Sequence, residues 1–204
     1  MPRIKVLRLE YRPHSDRRIS THLALVSRAF GASQLLIAGE KRLVAAGRHE
    51  LLLKEIDRLK KSIGEICNIW GGDSFQIDYV SNWKTFISKE RENGIKIVHL
   101  TIYGLPITEQ LEIIRELQKQ HLSWLVIVGG AKVPKKVYQL VDFNISITLQ
   151  PHSELAGLAI FLNKFYDDYW LGRDIHFPGA SIKIIPSPRG KIIIPLNADS
   201  PLKP

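Results

Sequence analysis

The chain has 204 residues, 45% of them hydrophobic, and a formal net charge of +9, a size that suits one domain, with or without a short appendage, around one core. No run reaches the roughly 18 uninterrupted apolar residues of a membrane span, and MPRIKVLRLEYR lacks the apolar centre of a secretion signal, so a cytoplasmic protein without a membrane partner is expected. The single cysteine, Cys67, excludes an internal disulfide and a cysteine-cluster metal site; within IGEICNIW it reads as a core thiol.

Charge is unevenly placed. Residues 1–48 hold ten Lys/Arg against three acids, residues 49–168 fourteen against fifteen, and the remainder five against two. A neutral body with basic ends suits a protein whose N-terminal face meets a polyanion such as nucleic acid, and a solvated charged surface is the plain alternative.

In chain order, IKVLRL (4–9) reads as a strand. EYRPHSDRRISTHLALVSRAFGAS then gathers Arg12, His14, Asp16, Arg17 and Arg18 in a strand-to-helix connection and sets His22 and Arg28 six residues apart on the helix. Six residues is less than two turns, so the two side chains diverge and suit different parts of one extended ligand. Ordinary surface or capping roles for the histidines, and a solvated face for the arginines, are the competing readings.

QLLIAG (34–39) is a second strand, and HELLLKEIDRLKKSIGEI a helix with Leu52, Ile56, Leu59 and Ile63 on one stripe. Strands FQIDYV (75–80) and IKIVHLTIYG (95–104) follow, the latter running into Gly104 and Pro106. TEQLEIIRELQKQ repeats Leu111, Ile114 and Leu117 behind a Thr108 cap signal. WLVIVGG (124–130) ends in Gly129 and Gly130, which let a ligand approach the backbone, although a glycine pair after a strand is commonly just a turn; no phosphate-binding or dinucleotide glycine signature is present.

After the strand FNISIT (143–148) comes QPHSELAGLAIFLNKF. Pro151 suits a first helical turn, Ser153 a cap and Glu154 the positive helix end. The helix itself is apolar on nearly every side, Leu155, Leu158, Ala159, Leu162 and Phe165 on one stripe and Ala156, Gly157, Ile160 and Phe161 on the other. Such a helix must be buried all round, between the sheet and, in an isologous dimer, its twin. GASIKIIPSPRGKIIIP reads as a C-terminal hairpin and NADSPLKP as a frayed tail. The alternation predicts an α/β fold, a mostly parallel sheet with helices on both faces, its ligand beyond the carboxyl ends of the strands. We expect an α/β domain over 1–170 and a hairpin extension with tail over 171–204.

HLALVSRAFGA, VIVGGAKVP and QPHSELAGLAIFL, in that order and flanked by YRPHSDRRISTH and VHLTIYG, resemble the three motifs of the SPOUT class of RNA methyltransferases, within it the archaeal tRNA cytidine 56 ribose 2'-O-methyltransferases. The resemblance covers roughly residues 4–195. It implies a homodimer with a C-terminal trefoil knot, S-adenosyl-L-methionine as cofactor, tRNA as substrate and no metal. By similarity the cofactor would meet Leu100, Thr101 and Gly104, the turn Gly129, Gly130, Ala131, Lys132 and Val133, and Ile147, Leu149, Pro151 and His152. Arg28 matches the catalytic arginine of the first motif. A guanidinium is too weak a base to take a proton, so it would grip a phosphate and stabilise charge on the 2'-oxygen. Arg12, His14, Arg17, Arg18, His22 and Ser153 would meet RNA. Ser15, Ala131 and Leu149 depart from the family pattern. A catalytically silent RNA binder on the same scaffold is the alternative, and a nucleotide-binding regulator on a flavodoxin-like sheet a further one.

Overall fold

The computed structural model describes residues 1–13, 15–39, 47, 49–129 and 133–196. Six parallel strands, β1 (Arg3–Tyr11), β2 (Gln34–Gly39), β3 (Gln76–Val80), β4 (Lys96–Pro106), β5 (Ser123–Gly129) and β6 (Phe143–Ser146), form one sheet in the order β3-β2-β1-β5-β4-β6. Side-chain alternation sends each strand to two cores at once. Ile4 and Val6, Leu35 and Ile37, Trp124 and Val126 pack on one face. Leu7 and Leu9, Leu36 and Ala38, Leu125 and Ile127 pack on the other. This is why the strands read as continuous apolar runs.

Helices α1 (Arg17–Ala29), α2 (His49–Trp70), α4 (Ile107–Gln118) and α6 (Glu154–Phe165) cover the first face. The shorter α3 (Trp83–Glu92) and α5 (Lys135–Leu140) cover the second, through Ile87 and Val137. The stripe expected on α2 is buried, and Cys67 extends it. α4 begins one residue before the expected cap: Pro106 (φ −55°, ψ 135°) turns the chain into the helix, and Thr108 lies inside the first turn.

Ser153 caps α6, its hydroxyl accepting from Leu155 N at 3.2 Å, whereas Pro151 stands ahead of the cap rather than in the first turn. Leu158, Phe161, Leu162 and Phe165 are buried, but Ile160 is 45% exposed. Of the second apolar side of α6, Gly157 and Phe161 are covered within the chain, whereas Ala156 and Ile160 are not.

The expected hairpin pairs β7 (Ile182–Ile185) antiparallel with β8 (Ile192–Pro195) as a separate sheet. The segment leading to it docks on the end of α2: Gly72 N donates to Pro178 O at 2.8 Å and Ser181 N to Ile69 O at 3.0 Å. Trp170 stacks on Phe177 there and presses against Gly31, where a Cβ would lie 1.9 Å from the indole. Only glycine permits that approach, and its φ of +75° asks for glycine as well.

Candidate active site

The sheet reverses direction of winding between β1 and β5, and a cavity of about 560 Å³ opens there, beyond the carboxyl ends of β1, β4 and β5. Two strand irregularities make it. In β4, Leu100 and Leu105 both pair with Ile145, so Thr101–Gly104 are surplus to the ladder and swing outward. In β1 the register slips between Arg8 and Tyr11, with Glu10 at φ 55°.

Leu100, Thr101, Gly129, Val133, Pro151, His152 and Arg12 line this cavity, from four separate stretches of sequence. Gly129 has no room for a side chain, since a Cβ would fall 1.9 Å from Val133 Cγ2. Gly104 instead packs on β6, where its Cβ would lie 2.5 Å from the Asn144 carbonyl. Ile147 packs against the core and Leu149 is exposed, neither lining the cavity. Ser153 serves as the cap described above. Arg17, Arg18 and His22 are exposed on α1, and Arg17 Nε donates to Glu55 Oε2 at 2.7 Å. Gly130, Ala131, Lys132 and His14, together with the tail 197–204, lie outside the described residues.

Arg28 stands elsewhere. It lines a second cavity of about 440 Å³ with Trp70, Phe177 and Ile182. Its Nε donates to Gly71 O at 3.2 Å and its Nη2 to Trp70 O at 2.9 Å, so the guanidinium closes the C-terminal end of α2, where a cation is favoured. Phe177 covers it, ring centroid 4.8 Å from Cζ. From Asp16 at the first cavity to Arg28 the helix advances about 18 Å, more than an arginine side chain reaches.

Sequence reasoning named Arg12, Asp16 and Glu154 but not Arg8, the group that joins them at the floor of the first cavity. Arg8, 1% exposed, pairs through Nη2 with Asp16 Oδ2 at 3.3 Å and Glu154 Oε1 at 3.1 Å, and its Nη1 donates to Ser20 Oγ. Arg12 Nη2 adds a 3.0 Å bond to Asp16 Oδ1. Burial pushes Asp16 up, but the Arg12 hydrogen bonds and the Arg8 charge outweigh it and hold the carboxyl below its ordinary value. For Glu154 burial wins over Arg8, and the carboxyl is raised. The signal was present in IKVLRL: Arg8 follows Ile4 and Val6 on an inward-facing register, and a charge there requires buried partners. On the opposite wall stand His99, fully buried, and Tyr138, whose hydroxyl is 3.1 Å from Thr101 Oγ1.

A group bound here meets apolar walls at Leu100, Val128 and Val133, close backbone at Gly129, and buried acceptors without a partner among the described residues at Glu154 Oε2 and His99 Nε2. Those features fit a compact cationic ligand with N–H donors and a flat ring system, as S-adenosylmethionine is.

Known proteins agree. The sequence profile described as "tRNA ribose 2'-O-methyltransferase, aTrm56" matches residues 70–194. The tRNA (cytidine(56)-2'-O)-methyltransferase of Thermococcus kodakarensis is 39% identical over 194 residues, covering 95% of this chain and 98% of its own length. That of Methanobrevibacter smithii is 40% identical over 191 residues, 94% and 95% of the two chains. The crystal structure of the SpoU methyltransferase AviRb from Streptomyces viridochromogenes, in complex with AdoMet, matches with a TM-score of 0.52 at 16% identity. That match covers 84% of this chain, which spans 60% of the other, and shows a shared fold.

The parallel sheet with its cavity at the switch point thus shares the fold of the SpoU methyltransferase. The relatives narrow this further: the chain belongs to the aTrm56 family of tRNA ribose 2'-O-methyltransferases.

Proposed function

We propose that the protein transfers the methyl group of S-adenosylmethionine to the ribose 2'-oxygen of cytidine 56 in tRNA, in the cytoplasm. The observation that carries this is the near full-length match to relatives of that stated activity, on a chain whose motif loops converge on one cavity. The cofactor supplies an electrophilic methyl carbon. The chain's task is to hold the ribose oxygen within roughly 3–3.5 Å of it, in line, and to favour loss of the hydroxyl proton.

We assign the cofactor to the cavity bounded by Leu100, Thr101, Gly129, Val133, Pro151 and His152, and the RNA to the face carrying Arg12, Arg18 and His22. We propose further that the active unit is a homodimer, that the loops at β4 and β6 are threaded as the family's knot, and that the hairpin from residue 171 is an extension of the domain. Exposed Ile160 on α6 and exposed Ile19 on the adjoining α1 support a pairing of twin helices. About a two-fold axis crossing these helices, the Arg28 end of one α1 comes opposite the Glu154 end of the partner's α6. Arg28 would then act on the other subunit's cavity, a reading consistent with its distance from its own cavity.

The test is methyl transfer from labelled cofactor to unmodified tRNA, with the modified ribose mapped. Label at residue 56, lost in a transcript carrying 2'-deoxycytidine there, is the expected result. Protein that binds cofactor and tRNA without transfer would overturn the catalytic reading in favour of a silent binder.

A further inference from the structure

His99 sits in β4 with no solvent exposure, on the wall of the first cavity. Its surroundings fix which of its nitrogens carries hydrogen. The Asn144 side-chain nitrogen Nδ2 donates to Tyr138 O at 3.0 Å, which leaves Asn144 Oδ1 facing His99 Nδ1 at 2.9 Å. Turning the amide over would set its oxygen against a carbonyl oxygen, so that orientation is excluded. An amide oxygen only accepts, hence Nδ1 is the donor and bears the proton. Burial holds the ring's pKa below its ordinary value, so the ring carries no second proton. Nε2 therefore presents a bare lone pair. It is buried and has no hydrogen-bond partner among the described residues.

The ring cannot turn to find one. Tyr138 packs edge-on against it, centroids 4.8 Å apart at 86°, and is itself tied to Thr101. A buried acceptor locked in place beside a cavity is an unfilled half of a hydrogen bond, and buried polar atoms are as a rule satisfied. The two walls of the cavity also differ in charge. The Arg8 side is ionic, Asp16 and Glu154 paired with arginines and Glu154 Oε2 left to accept from a ligand; His99, beside Leu100, Val133 and Tyr138, offers a neutral acceptor in apolar surroundings that suits the edge of a flat base.

We propose that His99 is a cofactor-positioning residue whose Nε2 accepts a hydrogen bond from the 6-amino group of the adenine ring. This rests on the cofactor assignment made above. It places the adenine against β4 and α5 and directs the sulfonium end of the cofactor toward the carboxylates.

The test compares two ligands by calorimetry: S-adenosylhomocysteine, and its analogue in which hydrogen replaces the 6-amino group. Wild-type protein is expected to bind the first about tenfold more tightly, the size of one neutral hydrogen bond. His99→Phe should bind both with equal affinity, at the level of the wild type with the analogue. His99→Gln, which restores an amide acceptor, should recover part of the preference and serves where the phenylalanine variant does not fold. A His99 variant lacking an acceptor that keeps the tenfold preference overturns the role of His99 and leaves the cavity assignment standing. Wild-type protein that binds neither ligand overturns the cavity assignment itself, and this inference with it.

Discussion

Arg8 and Glu154, 146 residues apart in sequence, meet at 3.1 Å beneath the candidate cofactor cavity. Arg8 also faces Asp16, and no apolar residue can replace a cation that neutralises two sheltered carboxylates. Arg8→Met keeps the bulk but strands Glu154, while Asp16 keeps its Arg12 partner, and the change should cost about 3–5 kcal/mol in urea unfolding at pH 7. The deficit has a definite pH dependence. Burial already raises the Glu154 carboxyl and Arg8 opposes that, so without Arg8 it rises further above its unfolded value; the added penalty is full at neutral pH and shrinks as pH falls through the raised value toward about 4. A variant equally destabilised at pH 7 and pH 4.5 would show that packing, not charge, is what Arg8 contributes.

Arg28 carries a structural task that must be separated from a catalytic one. Its two carbonyl contacts at the end of α2 are charge-assisted, and losing them in Arg28→Ala should cost about 2–3 kcal/mol and lower Tm even without ligand. Lysine can satisfy one carbonyl as a point charge and should recover most of that stability. Methyl transfer by folded Arg28→Lys is expected to stay at least about tenfold below wild type, because a lysine cannot hold α2 and present a second donor edge together. Full recovery of both stability and rate in the lysine variant would confine Arg28 to closing the helix.

Much of the fold was legible because the sheet is buried on both faces. β2 was read at its true bounds, and α2 by a stripe that proved to be core. α3 and α5 were not seen: α3 buries Ile87 and Glu90 alone, and α5 is six residues long with Val137 its one buried side chain, too little for a period to emerge. The site divides along the same line. The motif loops were found by their glycines and prolines, whereas Arg8 and His99 lie inside strands whose neighbours are apolar, and their importance comes from partners distant in sequence. That Arg28 stands one helix length from the motif loops depends on the axis of α1, which residue spacing does not carry.

Gly104 links the loop to the cavity wall. Gly104→Ala forces a methyl to within 2.5 Å of the Asn144 backbone, which cannot move without parting β6 from β4. The expected cost is about 1–3 kcal/mol by overpacking. Because Asn144 also accepts from His99, cofactor affinity should fall along with stability; amide exchange at β6 faster than in wild type would locate the strain. Unchanged exchange and affinity would mean that the loop absorbs the methyl.

His99 gives folding a pH signature. The unfolded chain takes up a proton near the ordinary histidine value of 6.5, while the buried ring resists until a lower pH. Below about 6.5 the unfolded state thus binds more protons, and stability is lost as pH falls from there toward the folded-state value, by at most about 1.4 kcal/mol per pH unit. Urea midpoints between pH 7.5 and 5.5 should decline in wild type and decline less in His99→Gln, the difference isolating this one ring from the other histidines. Parallel curves would mean that His99 accepts its second proton without strain.

The basic face should not act uniformly. Arg17 is already held by Glu55, whereas Arg18, its exposed neighbour, has no ion pair among the described residues. A phosphate would have to break the first pair but can take the second guanidinium directly. Binding of tRNA measured across salt concentrations should therefore show the slope of log K against log salt falling by about 0.7–0.9 in Arg18→Ala, the release of one counterion, with Arg17→Ala remaining near the wild-type slope. Equal losses in both variants would show that RNA opens the Arg17–Glu55 pair, and no loss in either would move the RNA off this face of α1.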